Sequence, residues 1–318
     1  MDAYPGPAGD GGGNAPDGRE ARLFGRWQLS AAARVTKLLK TRLSRMRNRA
    51  APEVSRLVDA MEWTLLSGGK RLRPLLALAA SEAACGDEDR GLPAAMAVEL
   101  MHTYSLVHDD LPDLDNDSVR RGREAVHARF GPAMAILAGD ALQSMAFEIL
   151  AEAGEKIGAG DGCIRAVGLL ARAAGPMGMA GGQAEDLAFE GRDPSLDERA
   201  AMARRKTGEL IAASLACGAA LAGMAPTGLA RLGRAGLAAG EAFQIRDDLL
   251  NLEGDPEVMG KAAGSDARRG KRTLVAGLGP DAARARLDVL AREALRLIAP
   301  LRSDKLDRLL RALVARES

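Results

Sequence analysis

Aromatic side chains make up only 3% of this 318-residue chain, with five Phe, two Tyr and two Trp. Val, Ile and Thr are also sparse, while Ala, Leu, Arg and Gly dominate, a balance that favours helix formers and offers little to strands. The expected fold is therefore mostly α. Net charge is almost absent: 44 basic residues meet 43 acidic ones for a formal charge of +1, so no global field argues for nucleic acid or an anionic membrane. Any anion specificity must be local. Cysteine is scarce as well, and Cys85, Cys163 and Cys217 lack the paired spacing of a zinc framework or a disulfide set. They read as buried thiols in a reducing cytoplasm. No basic N-terminal segment precedes an apolar run, and no stretch reaches the roughly 18 apolar residues of a membrane span. Secretion and spanning are both disfavoured.

Residues 1–28 are rich in Gly, Pro and Asp, including Gly11-Gly12-Gly13, and read as a disordered tail ahead of one domain over 29–318. In that domain apolar positions recur at helical spacing, as in Val54, Leu57, Val58, Met61 and Leu65. Helix breaks are punctuated by Gly86 with Asp87, Gly91 with Pro93, Gly131 with Pro132, Gly191 to Pro194, Pro226 with Gly228, and Gly254 to Pro256. A bundle of roughly ten or more helices suits the length.

The segment Asp109-Asp110-Leu111-Pro112-Asp113-Leu114-Asp115-Asn116-Asp117 crowds carboxylates at the end of the apolar run Met96 to Val107. Pro112 should end or kink that helix, leaving the acids at its partially negative terminus, where dipole and mutual repulsion both oppose them. A hard divalent cation would relieve that repulsion, and magnesium needs few protein carboxylates when phosphates and waters complete its shell. A merely solvated acidic loop would not require Arg120-Arg121 directly after it. A calcium-loop reading of Asp113, Asp115, Asp117 and Glu124 fails, because Ser118 stands where the sharp turn demands Gly. A second pair, Asp247-Asp248, ends the apolar run Leu237 to Leu250, and facing helices of a bundle can hold metal ions between two such pairs.

Basic residues supply the rest: Lys70, Arg71 and Arg73 after Gly68-Gly69, then Arg120, Arg121, Lys206, Lys261 and Lys271. Glycines that admit close backbone approach beside Lys and Arg suit phosphate oxygens. A nucleotide loop fits poorly, since Gly264 to Gly270-Lys271 and Gly254 to Gly260-Lys261 each carry one residue too many and lack the following Ser or Thr. The three histidines, His102, His108 and His127, cluster at the first acidic region without the spacing of a zinc motif, and read as hydrogen-bonding groups around a diphosphate.

Taken in order, Gly68–Pro74 (GGKRLRP), His102–Asp117 (HTYSLVHDDLPDLDND), Arg120–Gly122 (RRG), Ala138–Leu142 (AGDAL), Gly181–Leu187 (GGQAEDL), Lys206–Gly208 (KTG) and Phe243–Asp248 (FQIRDD) resemble the trans-prenyl diphosphate synthases, most closely the bacterial farnesyl diphosphate synthases. The likeness covers nearly everything from Leu29 onward. It implies an all-α antiparallel helical bundle around a deep central cavity, in a homodimer. It also implies that Asp109, Asp110, Asp115, Asp247 and Asp248 hold about three magnesium ions on an allylic diphosphate. Arg120, Lys206 and Lys261 would grip the same group, with Gln183 and Lys271 at that site. Lys70, Arg73, His102 and Arg121 match the isopentenyl diphosphate site, which uses no metal. Thr207, Gln183 and Gln244 match polar positions near the reacting carbons, and Lys206, Thr207, Gln244 and Lys261 are the candidate catalytic residues. Tyr104 and Ser105 match the place that limits chain length, about 7.5 Å along the helix from Asp109 at about 1.5 Å per residue.

The implied reaction is ionisation of the allylic carbon–oxygen bond, attack by the isopentenyl double bond and loss of a proton. Charge develops on the departing diphosphate, where cations are needed. One departure stands out: Asn251 occupies the third acidic place of the second motif and brings no charge. Asp113 is a second variation, at a loop position that is commonly small. The alternatives are a geranylgeranyl or longer-chain synthase and, from another class, a catalytically silent regulatory subunit. The silent subunit should have lost acidic motifs that this chain keeps.

Overall fold

The computed structural model describes residues 18–157, 160–253 and 273–314. Helices α1 (Gly18–Arg47), α2 (Pro52–Leu65), α3 (Leu72–Cys85) and α4 (Leu92–Asp109) lead to a short hairpin of β1 (Val119–Arg120) and β2 (Arg123–Glu124). Next come α5 (Val126–Phe130), α6 (Pro132–Ile157), α7 (Gly160–Ala174), α8 (Met179–Ala188) and α9 (Leu196–Ala203). One turn of π-helix, Arg204–Gly208, runs directly into α10 (Glu209–Leu221). The chain continues with α11 (Pro226–Glu253), α12 (Leu274–Leu278), α13 (Pro280–Ile298) and α14 (Asp304–Val314).

Proline stands in the first turn of α2, α4, α6, α11 and α13, where its missing N–H costs nothing and its fixed φ suits helix entry. Gly86 closes α3 in the left-handed conformation at φ 77°, and a Ser195–Glu198 capping box opens α9.

The residues of α10 from Leu210 to Leu221 are all buried, as a helix apolar on every side requires, and α3, α4, α7 and α11 surround it. With so few large side chains, the helices close on one another through glycine. Gly218 lies on the Ala77 carbonyl of α3, Gly236 of α11 on Ala212, and Gly240 of α11 on Gly208; a Cβ at any of the three would run into backbone. The last of these contacts seats the π-turn directly on α11.

Three expectations change. The tail was expected to reach residue 28, but α1 begins at Gly18, because Phe24 and Trp27 pack on the core. Trp27 Nε1 donates to Glu88 at 2.7 Å, and the Lys305 ammonium of α14 lies 4.5 Å from its ring centroid. These partners are remote in sequence, so local composition could not reveal them. The hairpin is the second difference: Arg121 and Gly122 adopt φ of 52° and 72°, the two positive values of a type I′ turn, whose twist matches paired strands. The third concerns Cys85, which is exposed, whereas Cys163 and Cys217 are buried free thiols. Helix α6 is long and apolar enough over Pro132–Glu155 to cross a membrane by length and composition, yet 44% of the 18-residue apolar window within it is buried inside the protein. It packs along α4, α7 and α2 as an element of the bundle.

Candidate active site

Helix α4 delivers the first acidic segment. It ends at Asp109, and the chain folds back so that the Asp115 N–H donates to the Asp109 carbonyl at 2.9 Å and Asn116, at φ 51°, donates to the Leu111 carbonyl at 3.0 Å. This turn puts the carboxylates of Asp109 and Asp115 within reach of each other's charge. Burial pushes the Asp109 carboxyl up to about 6; Lys206 pulls it down, and Asp115 pushes it up again. Asp110 is 3% exposed and also raised by burial, against the pull of Arg120. Arg120 Nε donates to Asp110 Oδ1 at 2.9 Å, its Nη2 contacts the same oxygen, and Asp117 lies 3.5 Å from that Nη2. Hard oxygen donors crowded at a helix end, with burial and like charge opposing their ionisation, fit a divalent cation. Among the described residues no three candidate ligands already form a cage, so diphosphate oxygens and water must complete any shell.

The basic side faces α4 from the loop between α2 and α3. Gly68 and Gly69 have φ of 92° and 112°, and the Arg121 guanidinium lies against Gly69, where a Cβ would sit 2.8 Å from Nη1. Arg121 Nη1 donates to the Gly68 carbonyl at 2.6 Å. Arg71 turns inward from a left-handed backbone, donates to the Leu65 carbonyl at 2.5 Å and pairs with Glu99 of α4, which is 2% exposed. Arg71 thus anchors the loop, leaving Lys70 exposed and Arg73 partly buried. Burial holds His102 well below the ordinary histidine range, and the charges of Arg73, Arg121, Arg71 and Arg120 add to the shift. Arg73 and Arg121 thus stand close enough to His102 for their charges to disfavour its protonation.

The π-turn stands between the two acidic segments. Lys206 Nζ donates to Asp186 Oδ2 of α8 at 2.6 Å, while its charge reaches Asp109. Thr207 Oγ1 donates to Gln244 Oε1 at 3.2 Å, and Gln244 Nε2 donates to Asp248 Oδ1 at 3.0 Å. Asp248 is buried and its neighbour Asp247 partly so. Gln183 Oε1 is buried without a hydrogen-bond partner, on the residue after Gly182, which abuts the Lys206 backbone. Such an orphaned acceptor suits a site built for a bound molecule. One turn before Gln244, Glu241 is 1% exposed and accepts from Arg204 Nε of the π-turn at 2.6 Å and Arg286 Nε of α13 at 2.7 Å.

Other expected residues fall as follows. Tyr104 is half-buried on α4, edge-on to His108 with ring centroids 5.2 Å apart; burial raises its hydroxyl pKa, and Gln143 hydrogen-bonds it. Ser105 Oγ donates to the His102 carbonyl at 2.8 Å. The reading of His108 as a diphosphate group is corrected: its Nε2 lies 3.2 Å from the Ile136 carbonyl and its ring fills the space left by Gly139 of α6. His127 sits close enough to Asp110 to influence it, with a buried Nδ1 that has no partner. Lys261 and Lys271 lie outside the described residues. Asp186 and Glu241 were missed, although Asp186 follows Gln183 by three residues on one helix and so shares its face.

A family model described as polyprenyl synthetase matches residues 54–296, and the chain belongs to that family. It is 44% identical over 222 residues to the farnesyl diphosphate synthase of Geobacillus stearothermophilus, covering 70% of this chain and 75% of the relative. Among solved structures, an FPP/GFPP synthase from Zymomonas mobilis in its apo form superposes with a TM-score of 0.80 at 35% identity, covering 92% of this chain and all of that one. A geranyltransferase from Helicobacter pylori, complexed with magnesium and isoprenyl diphosphate, gives a TM-score of 0.71 at 31% identity over 88% of this chain and 95% of its own.

Proposed function

We infer that this chain is a trans-prenyltransferase that condenses isopentenyl diphosphate with dimethylallyl or geranyl diphosphate to give farnesyl diphosphate. The observation that carries this reading is the meeting of two side-chain clusters of opposite charge beside α4, which we assign to two diphosphates. One is acidic, around Asp109, Asp110 and Asp115; the other is purely basic, around His102, Arg73 and Arg121. A cyclising enzyme with a single diphosphate would have no use for the second.

Asp109, Asp110, Asp115, Asp247 and Asp248 would hold about three magnesium ions, which would neutralise charge on the departing diphosphate. Lys206 and Arg120 lie beside these carboxylates and bring fixed positive charge to the same diphosphate. When the allylic carbon–oxygen bond breaks, its electron pair leaves with diphosphate. The isopentenyl double bond then supplies the pair for the new carbon–carbon bond, and a proton is lost to the released diphosphate. No protein base is required. Thr207, Gln244 and Gln183 offer hydroxyl and amide dipoles near the cationic carbon, while Lys70, Arg73, His102 and Arg121 hold isopentenyl diphosphate without metal. Tyr104, wedged against His108 on α4, ends the space for the growing chain. We place the enzyme in the cytoplasm as a homodimer, a reading supported by its free thiols and by Ile136 and Leu137, exposed on α6.

The test is chromatography of dephosphorylated products after feeding geranyl and isopentenyl diphosphates with magnesium. A fifteen-carbon alcohol as the main product is expected. Recovery of unextended geraniol alone overturns the reading.

A further inference from the structure

We propose that Trp63 is a positioning residue for the isopentenyl diphosphate site, acting through the hairpin that carries Arg121; this rests on the assignment of Arg121 to that site. Trp63 lies in the last turn of α2, five residues before Gly68, and takes no part in the chemistry. Its indole Nε1 donates to the Glu124 carbonyl at 2.8 Å, at the end of β2. The guanidinium carbons of Arg123 and Arg129 stand 3.6 and 3.9 Å from its ring centroid, and Phe130 meets it edge-on at 6.4 Å. One ring therefore grips the hairpin at Arg123 and Glu124 and the helix α5 that follows. In a protein with two tryptophans, this is a costly side chain to place at a partly exposed position.

The hairpin needs such a grip. It pairs Val119 with Glu124 and Arg120 with Arg123, with one more backbone bond from Ala125 N–H to the Ser118 carbonyl at 2.9 Å, and a two-stranded ribbon of that length does not hold itself in water. Its turn also forces Arg121 to a φ of 52°, which a non-glycine residue adopts only when its surroundings hold it there. Arg120 has its own anchors in Asp110 and Asp117. Among the described residues, Arg121 reaches the body of the protein by donating to the Gly68 carbonyl. Loosening the hairpin should thus misplace Arg121 more than Arg120, so the effect should appear at the metal-free site and largely spare the acidic one.

The experiment compares full-length Trp63→Leu, Trp63→Tyr and Arg129→Gln with Arg121→Ala, measuring kcat and both KM values and the melting temperature. Trp63→Leu should raise KM for isopentenyl diphosphate about 10-fold while KM for geranyl diphosphate moves by less than about threefold. Trp63→Tyr, which retains a ring face, should recover most of the loss, and Arg129→Gln should raise the isopentenyl KM about threefold. Combining Trp63→Leu with Arg121→Ala should add little to Arg121→Ala alone. If Trp63→Leu does not fold, the Tyr and Arg129→Gln proteins carry the comparison. An unchanged isopentenyl KM across the folded variants, or equal rises in both KM values, overturns the proposal. If Arg121→Ala itself leaves the isopentenyl KM unchanged, the failure lies with the site assignment.

Discussion

At the end of α4 the carboxylates are held by charge, with Arg120 on Asp110 and Asp117 and Lys206 acting on Asp109. In α11 a neutral chain also reaches the acidic pair, from the Thr207 hydroxyl through the Gln244 amide to Asp248. The first segment lies on a turn that leaves its helix, whereas the second remains helical to Glu253. The arms of an acidic turn repel one another unless a fixed cation lies between them. Carboxylates on a helix are already spaced by the backbone.

The largest expected effect breaks both regions at once. Asp109→Ala or Asp247→Ala should each lower kcat/KM by about 1000-fold or more, with the helical circular dichroism intact. Activity within about twofold of wild type in either variant would remove that segment from the metal site. Next is Glu241, which ties the π-turn to α11 and α13. Glu241→Gln should cost about 1.5 kcal/mol, read from the denaturant midpoint, because two half-exposed arginines lose their charged partner. A midpoint near wild type would show that the π-turn is held by Gly208 and Gly240 alone.

Two smaller changes sharpen the contrast. Tyr104→Ala should lengthen the product by five-carbon units; a variant that still stops at fifteen carbons would make Tyr104 a packing residue only. Asn251→Asp should lower the magnesium concentration for half-maximal rate about threefold, since it restores a ligand charge on the α11 side. The smallest effect concerns stability. His102 is depressed in the fold by burial and by Arg73, Arg121, Arg71 and Arg120, while the unfolded chain titrates near 6.5. The unfolded state thus takes up a proton first, so stability should fall as pH drops below about 6.5, by at most about 1.4 kcal/mol per unit for this one group. Thermal melts of His102→Gln should show a flatter acid limb than wild type.

Much of this was legible in the residues. The α class followed from Ala and Leu without β-branched partners, the acidic segments stood out because their carboxylates oppose local stability, the Gly68-Gly69 loop because glycines beside Lys and Arg suit phosphate, and Lys206-Thr207 through the family resemblance. What stayed hidden depends on partners far along the chain. Asp186 looks like one acid among many until Lys206 is folded onto it, and Glu241 is an ordinary helix residue until two arginines from other elements bury it. The start of α1 was misjudged for the same reason, since Trp27 earns its place from Glu88 and Lys305. The hairpin escaped because two pairs of residues leave no periodicity to read.

The difference between the two anion sites can be measured directly by calorimetric titration of isopentenyl diphosphate, and of an unreactive thiolo analogue of geranyl diphosphate, with magnesium and with excess chelator. Chelation should weaken binding of the allylic analogue by about 100-fold or more and leave that of isopentenyl diphosphate within about threefold. Equal losses for both ligands, or none for either, would contradict a metal-dependent site and a metal-free site standing side by side on α4.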